Sequence, residues 1–198
     1  QDNNWATSWK AGEGETVLHF AVPAGQSAAG LYLCWGTLPA SYTVEASVDG
    51  RNWQPLFRGR EDSAWHQYVA LQEIAAPPAG SLAAPAGLAA ARPAWRFLRV
   101  IIRSGEEPAT LTEVRVLGPG DVPADVQRWS PTVPDADLMM FSAHPDDDLV
   151  FFSPVLPLYG GEQGRRTIVV YMATANSRRR LQALNALWIT GVETRPIF

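Results

Sequence analysis

The sequence predicts an all-β sandwich followed by the beginning of an α/β domain built on a parallel sheet. Three observations lead there. Short β-type runs broken by turn residues recur from Thr16 to Val116, a Pro/Gly-rich stretch follows, and the order then changes to strand, helix, strand, helix. A length of 198 residues allows one large domain or two small ones, and the 46% hydrophobic content is that of an ordinary folded chain.

The β-type runs are Thr16–Val22, Leu31–Trp35, Tyr42–Val48, Trp65–Leu71, Arg96–Ile102 and Thr112–Leu117. In the third, Tyr42, Val44, Ala46 and Val48 alternate with Thr43, Glu45 and Ser47, so one face meets a core and the other meets water. Asp49-Gly50 supplies the positive-φ turn that closes this run. The segment Ala75–Ala94, with prolines at 77, 78, 85 and 93, reads as a loop insertion. These features place one domain at residues 1–117. Residues 118–136, with Gly118-Pro119-Gly120 and then Pro123, Pro131 and Pro134, read as a stiff polar linker.

Residues 137–198 then begin the α/β domain. Asp137–Ser142 is a short apolar run, Leu149–Tyr159 suits the start of a helix, and Thr167–Ala173 is a continuous apolar strand of the kind buried on both faces. Arg178–Ile189 sets Leu181, Leu184, Leu187 and Trp188 at helical spacing.

Composition narrows the function. With a net charge of −4, a pI near 5.4 and scattered Lys and Arg, the chain has no basic stripe, and nucleic acid is not an expected partner. Cys34 is alone, so no internal disulfide forms. No stretch approaches the ~18 consecutive apolar residues of a membrane span. The chain starts at Gln1 and stops at Phe198 after a strand-like segment, and reads as a piece cut at both ends.

The sharpest chemical feature is Ala143-His144-Pro145-Asp146-Asp147-Asp148, directly behind the run Leu138-Met139-Met140-Phe141. In an open parallel sheet, ligands bind at the carboxyl ends of strands. Pro145 suits the first helical position, which sets His144 and Asp147 three apart and able to face one point. An imidazole nitrogen and a carboxylate oxygen are two of the three protein ligands that a catalytic zinc commonly takes. Asp146, between them, is then placed as general base toward a water at such a cation, a pairing suited to attack on an amide carbonyl. A plainer role suits the same residues: three Asp favour a helix start, and His144 is a strand-end residue with an ordinary hydrogen bond.

The segment from Asp137 to Phe198 resembles the start of the PIG-L, or LmbE-like, de-N-acetylases, whose hallmark is Ala-His-Pro-Asp-Asp-Glu after the first strand. The likeness continues through Gly160-Gly161, Gly164, the strand Thr167–Tyr171, the Arg-rich start of the helix and Gly191-Val192. It implies a Rossmann-like sheet and removal of acetyl from N-acetylglucosamine-type groups. By motif position it makes His144 and Asp147 zinc ligands, Asp146 the general base and Arg179 a substrate-holding residue. Asp148 stands where the motif has Glu and is expected to support the site from behind; Gln182 stands where the helix usually carries Glu. The family's third ligand is a His from further along. His19 and His66, the other histidines, fall in the sandwich, so this chain alone is expected to be inactive.

Residues 1–117 resemble the F5/8 type C, or discoidin, modules with the galactose-binding-like jelly roll. The carriers are Thr7-Ser8-Trp9, the stretch from Tyr42 through Ser47-Val48-Asp49-Gly50-Arg51-Asn52-Trp53, Arg96–Val100 and Leu111–Val114. The resemblance implies a structural calcium held by Asp2, Thr7 and Glu113; otherwise Asp2 is a polar terminus and Glu113 a solvated strand residue. Trp9, Trp35, Trp53, Trp65 and Trp95 are candidates for sugar stacking or for core, and Trp53 is expected in the core.

The expected protein is therefore a secreted or surface-associated zinc-dependent de-N-acetylase of acetamido sugars, with the sandwich attaching it to glycans. The alternatives are a non-catalytic glycan-binding or scaffold protein with a degenerate deacetylase-like domain, and another metal hydrolase, such as an esterase.

Overall fold

The computed structural model describes residues 7–60, 64–71, 94–132, 134–173 and 176–198. The loop insertion expected at 75–94 lies, except for Ala94, outside them. Contacts divide the chain into two compact units, residues 1–63 with 68–126 and residues 64–67 with 127–198.

The first is a sandwich of two four-stranded sheets. One sheet has β1 (Trp9–Lys10), β8 (Thr110–Leu117), β3 (Gly30–Thr37) and β6 (His66–Ala70) in that order. The other has β2 (Glu15–Ala21), β7 (Phe97–Arg103), β4 (Ser41–Ser47) and β5 (Gln54–Arg60). The registered pairs β1 with β8, β3 with β8, β2 with β7, β4 with β7 and β4 with β5 are antiparallel. Alternation explains the core: Tyr42, Val44 and Ala46 of β4 and Leu98, Val100 and Ile102 of β7 turn inward against Leu31, Leu33 and Trp35 of β3 and Leu111 of β8. β3 is buried on both faces, because Arg115 covers the Tyr32 ring at 6.0 Å and the Thr112 hydroxyl donates to Cys34.

β5 escaped the sequence reading because Pro55 and Gly59 break its pattern. Both have a place: β5 is an edge strand, where a missing N–H costs no ladder bond, and a Cβ on Gly59 would stand 2.0 Å from the Tyr42 ring. The expected linker is structured in its second half. Gln127 is fully buried with its amide on Asn185, Trp129 meets Trp188 edge to face, and Ser130 pairs with Thr194, so the units divide after Val126.

In the second unit β9 (Leu138–Ser142) and β10 (Thr167–Tyr171) pair in parallel, Leu138 opposite Thr167 through Ser142 opposite Tyr171. Where a helix was expected from Leu149, there is α1 (Asp147–Val150) and then a separate π-helical turn over Leu156–Glu162. α2 (Ser177–Ile189) starts at Asn176, whose side chain accepts from the Arg179 N–H at 3.0 Å, and buries Leu181, Ala183, Leu184 and Leu187. It ends at Ile189, and just past the Thr190 cap comes Gly191, with φ of 83°, where a Cβ would stand 2.5 Å from the Gly161 Cα; the two backbones touch. No helix among the described residues is long and apolar enough to cross a membrane.

His66 on β6 is 1% exposed, and burial pushes its imidazole down from 6.5 to about 3. Between those values the unfolded chain binds a proton that the folded chain does not. Stability is therefore full above pH 6.5 and is lost as the pH falls toward 3, at up to ~1.4 kcal/mol per pH unit. His66→Gln is expected to flatten the fall of urea midpoints across that window, and an unchanged slope would assign the acid sensitivity to other groups.

Candidate functional site

Two places in the described residues gather chemistry. The first is the turn behind β9. The Ser142 hydroxyl and the Asp146 N–H both donate to the His144 carbonyl at 2.8 Å, while Met172 and Ala173 N–H groups reach back to the Ser142 and Ala143 carbonyls. The turn is thus clamped at the carboxyl ends of both parallel strands. His144 and Asp147 face each other: the backbone N–H of His144 donates to Asp147 Oδ2 at 3.1 Å, and Nδ1 of its ring lies 3.3 Å from the same oxygen. The pair is open to water, with side chains 67% and 26% exposed.

The other members of the motif divide in role. Asp146 is the residue before α1 but caps nothing with its side chain; Oδ2 instead meets Arg179 Nη1 at 3.3 Å. Arg179 therefore contacts the carboxylate next to the His144–Asp147 couple. Asp148 is buried beneath, accepting the Tyr171 hydroxyl at 2.8 Å, with its second oxygen lacking a partner, and burial raises its carboxyl above the ordinary range. The Tyr171 ring is held by stacking on Phe198 at 5.1 Å. Gln182 faces solvent. Among the described residues no three His, Cys, Asp or Glu side chains gather to share a metal, and His19 and His66 lie on β2 and β6.

The second place is the sandwich. Thr7 and Glu113 do share a cavity, of about 780 Å³, with Trp9, Leu18, Phe20 and Val114 also in its wall. Glu113 is 6% exposed rather than solvated, and its Oε1 has no hydrogen-bond partner. Asp2, the other expected calcium ligand, lies outside the described residues.

The tryptophans separate. Trp35 is fully buried against Tyr42, whereas Trp53, expected in the core, is only half-buried on the outer side of the β2-β7-β4-β5 sheet. The reason is the row beneath it: His19, Arg99 and Glu45 stand opposite one another across β2, β7 and β4. Arg99 is bound to Glu45 at 2.5 and 2.6 Å, its guanidinium lies 4.3 Å from the Trp53 ring centre, and His19 meets that ring edge-on.

Beside Trp53 opens a cavity of about 440 Å³ walled by Val48, Asp49, Asn52, Trp53, Gln54 and Trp95. Trp95 is fixed, 6% exposed, with Nε1 donating to the Leu71 carbonyl at 3.1 Å. Asp49 Oδ1 accepts the backbone N–H groups of Arg51 and Asn52 at 2.8 Å and the Ser47 hydroxyl at 3.0 Å, and Oδ2 accepts the Asn52 amide at 2.7 Å. These donors hold the carboxyl well below the usual range. The sequence marks Asp49 as a turn residue, Trp53 as core and Trp95 as either core or sugar platform; it gives no sign that Asn52 and Gln54 share a wall with Trp95, which precedes a different strand.

No family model and no curated protein matches the chain. Solved structures do resemble it. CpGH89CBM32-6 produced by Clostridium perfringens is 20% identical with a TM-score of 0.44, over 60% of this chain and 82% of that one. A CBM32 of AlyQ, in complex with 4,5-unsaturated mannuronic acid, is 14% identical with a TM-score of 0.40, over 59% and 81%. The C-terminal domain of a chitobiase from Bacteroides fragilis is 17% identical with a TM-score of 0.33, over 60% and 76%.

Proposed function

We propose that the sandwich is a glycan-binding module of the jelly-roll kind, with a sugar seated in the cavity between Trp53 and Trp95. The observation that carries this is the wall itself. Two indoles offer apolar faces to the C–H side of a pyranose, and two planar amides and a carboxylate offer paired hydrogen bonds to its hydroxyls. A volume of about 440 Å³ falls within the ~300–1,000 Å³ of small-molecule sites. Both rings are held in place before any ligand arrives, which lowers the ordering cost of binding. A protein that binds glycans in this way belongs at the cell surface or outside it.

A second reading, favoured by the His144–Asp147 geometry, is that the other unit begins a Rossmann-like zinc-dependent de-N-acetylase domain acting on acetamido sugars. Two donors at ~2.0–2.1 Å from one tetrahedral ion stand about 3.3 Å apart, and Nδ1 of His144 and Oδ2 of Asp147 are 3.3 Å apart. The donor set fits. A bound zinc would polarise the acetamide carbonyl. Asp146, unblocked by capping, is available to accept a proton from the attacking water, with Arg179 steadying its carboxylate. Asp148, clasped by Tyr171, fixes the floor of the turn. The third ligand has to come from residues other than those described.

Calcium is proposed for the sandwich on a separate ground. The buried, unpartnered Oε1 of Glu113 beside Thr7 is an oxygen site that a hard cation would satisfy, with Asp2 as the further carboxylate.

Trp53→Ala is expected to weaken polysaccharide retention in affinity gels by tenfold or more while Trp9→Ala leaves it unchanged; equal retention in all three proteins would remove the cavity from the function. Zinc titrated into the chain with a competing chromophoric chelator should bind at a single weak site, lost in His144→Ala and kept in Asp146→Asn. In a protein carrying the complete domain, Asp146→Asn should also stop acetate release. Uptake that survives His144→Ala would end the second reading. Calcium should raise the melting temperature, chelation should lower it, and Glu113→Gln should abolish the difference; a variant that still responds would place the ion elsewhere.

A further inference from the structure

The glycan cavity has a charge that its shape alone would not reveal, and this sets the class of sugar it accepts. Asp49 is the charged group in the wall. Of its two oxygens, Oδ1 is saturated by three donors, while Oδ2 takes one, the Asn52 amide at 2.7 Å. A carboxylate oxygen accommodates about two such bonds, so Oδ2 keeps acceptor capacity for a donor on the ligand.

Positive charge that could reverse this is engaged or placed outside the wall. The Arg99 guanidinium, stacked over the far side of Trp53, is bound to Glu45, and the two charges offset each other. Arg51 and Arg96 are exposed next to Asp49 and Trp95 in sequence, yet neither contributes to the cavity wall. Among the described residues, a ligand in contact with Trp53 and Trp95 therefore meets one fixed negative charge, two amides and no cation of the wall.

From this juxtaposition, and resting on the proposed glycan-binding role of the same cavity, we infer that the site takes a neutral or amino hexose and rejects uronic acids. A hydroxyl or an ammonium donates to Asp49 Oδ2, whereas a sugar carboxylate would be set beside an ionised carboxylate with no cation among the described wall residues to part them. Ionisation of Asp49 supports this: the Asn52 and Arg51 N–H groups first, then the Asn52 amide and Ser47 hydroxyl, hold its carboxyl far below the ordinary value, so it is charged at neutral pH.

The experiment is titration of the full chain, followed by tryptophan fluorescence and calorimetry, with three sets of oligosaccharides of matched length: neutral β-linked hexoses, their amino-sugar counterparts and oligouronates. Neutral and amino oligomers should bind, and oligouronates should bind at least tenfold more weakly. Raising ionic strength from about 0.01 M to about 1 M shortens the Debye length from ~30 to ~3 Å and should narrow that gap by strengthening the uronates alone. Asp49→Asn, which keeps an acceptor for the turn, should narrow it in the same direction, and the salt series on the unaltered protein decides the matter should that variant fail to fold. Oligouronates that bind as tightly as neutral sugars through Trp53 would overturn the inference and leave the glycan-binding role standing. A chain that binds none of the three sets would overturn that role itself.

Discussion

The carboxylate of Asp49 is the constraint on which the cavity between Trp53 and Trp95 depends. It closes the β4–β5 turn by collecting four donors from Ser47, Arg51 and Asn52, with Gly50 supplying the positive φ of 73° that the turn requires. The chain so directed returns as β5 with Trp53 at its start, lying on the outer face of the sheet. There Arg99 and His19 confine the indole, and Trp95, entering β7, completes the wall. Loosen the turn, and Asn52, Trp53 and Gln54 lose their common orientation together, because all three follow it within five residues of Asp49.

How much of this was legible in the sequence depended on the range of the interaction. The sandwich was, because alternation in Tyr42, Val44 and Ala46 reports a local property, the direction of successive side chains on a strand. The parallel pairing of β9 with β10 was legible from the order of apolar runs, and the His144–Asp147 approach from a spacing of three. β5 was not, since Pro55 and Gly59 are tolerated only through the edge position and the Tyr42 ring above, which are tertiary facts. Nor was the outward place of Trp53. A tryptophan after a turn fits a core as well as a surface until the partners across the sheet, Arg99 and Glu45, are known to be charged and opposite each other.

Asp148 shows a related difference. The sequence offers three like residues in a row, and repulsion among them suggests one shared cation. In the fold they part: Asp146 turns to Arg179, Asp147 to His144, and Asp148 goes inward to Tyr171. Two of the three are thus matched by neighbours of this chain, and burial of the third favours its neutral form. Charge relief alone therefore does not demand a metal at this turn. The proposed metal rests instead on geometry, an exposed imidazole and a part-exposed carboxylate held at a separation that suits two ligands of one ion, by a backbone clamped to two strand ends.

The carboxylates of the two candidate sites, Asp49 and Asp147, differ in the same way in their partners. Asp49 is held by two backbone N–H groups, the Asn52 amide and the Ser47 hydroxyl, all neutral dipoles, so the described wall of its cavity keeps a negative charge. Asp147 Oδ2 accepts the His144 backbone N–H at 3.1 Å and has Nδ1 of the same residue at 3.3 Å, so one of its neighbours is a group able to ligate a cation beside it. In the roles proposed for them, the first recognises a polar organic molecule and the second shares a metal ion. The two proposals part on whether the side-chain partners act as donors alone, as the Asn52 amide and Ser47 hydroxyl do toward Asp49, or include a group that can itself ligate a cation, as the imidazole beside Asp147 does.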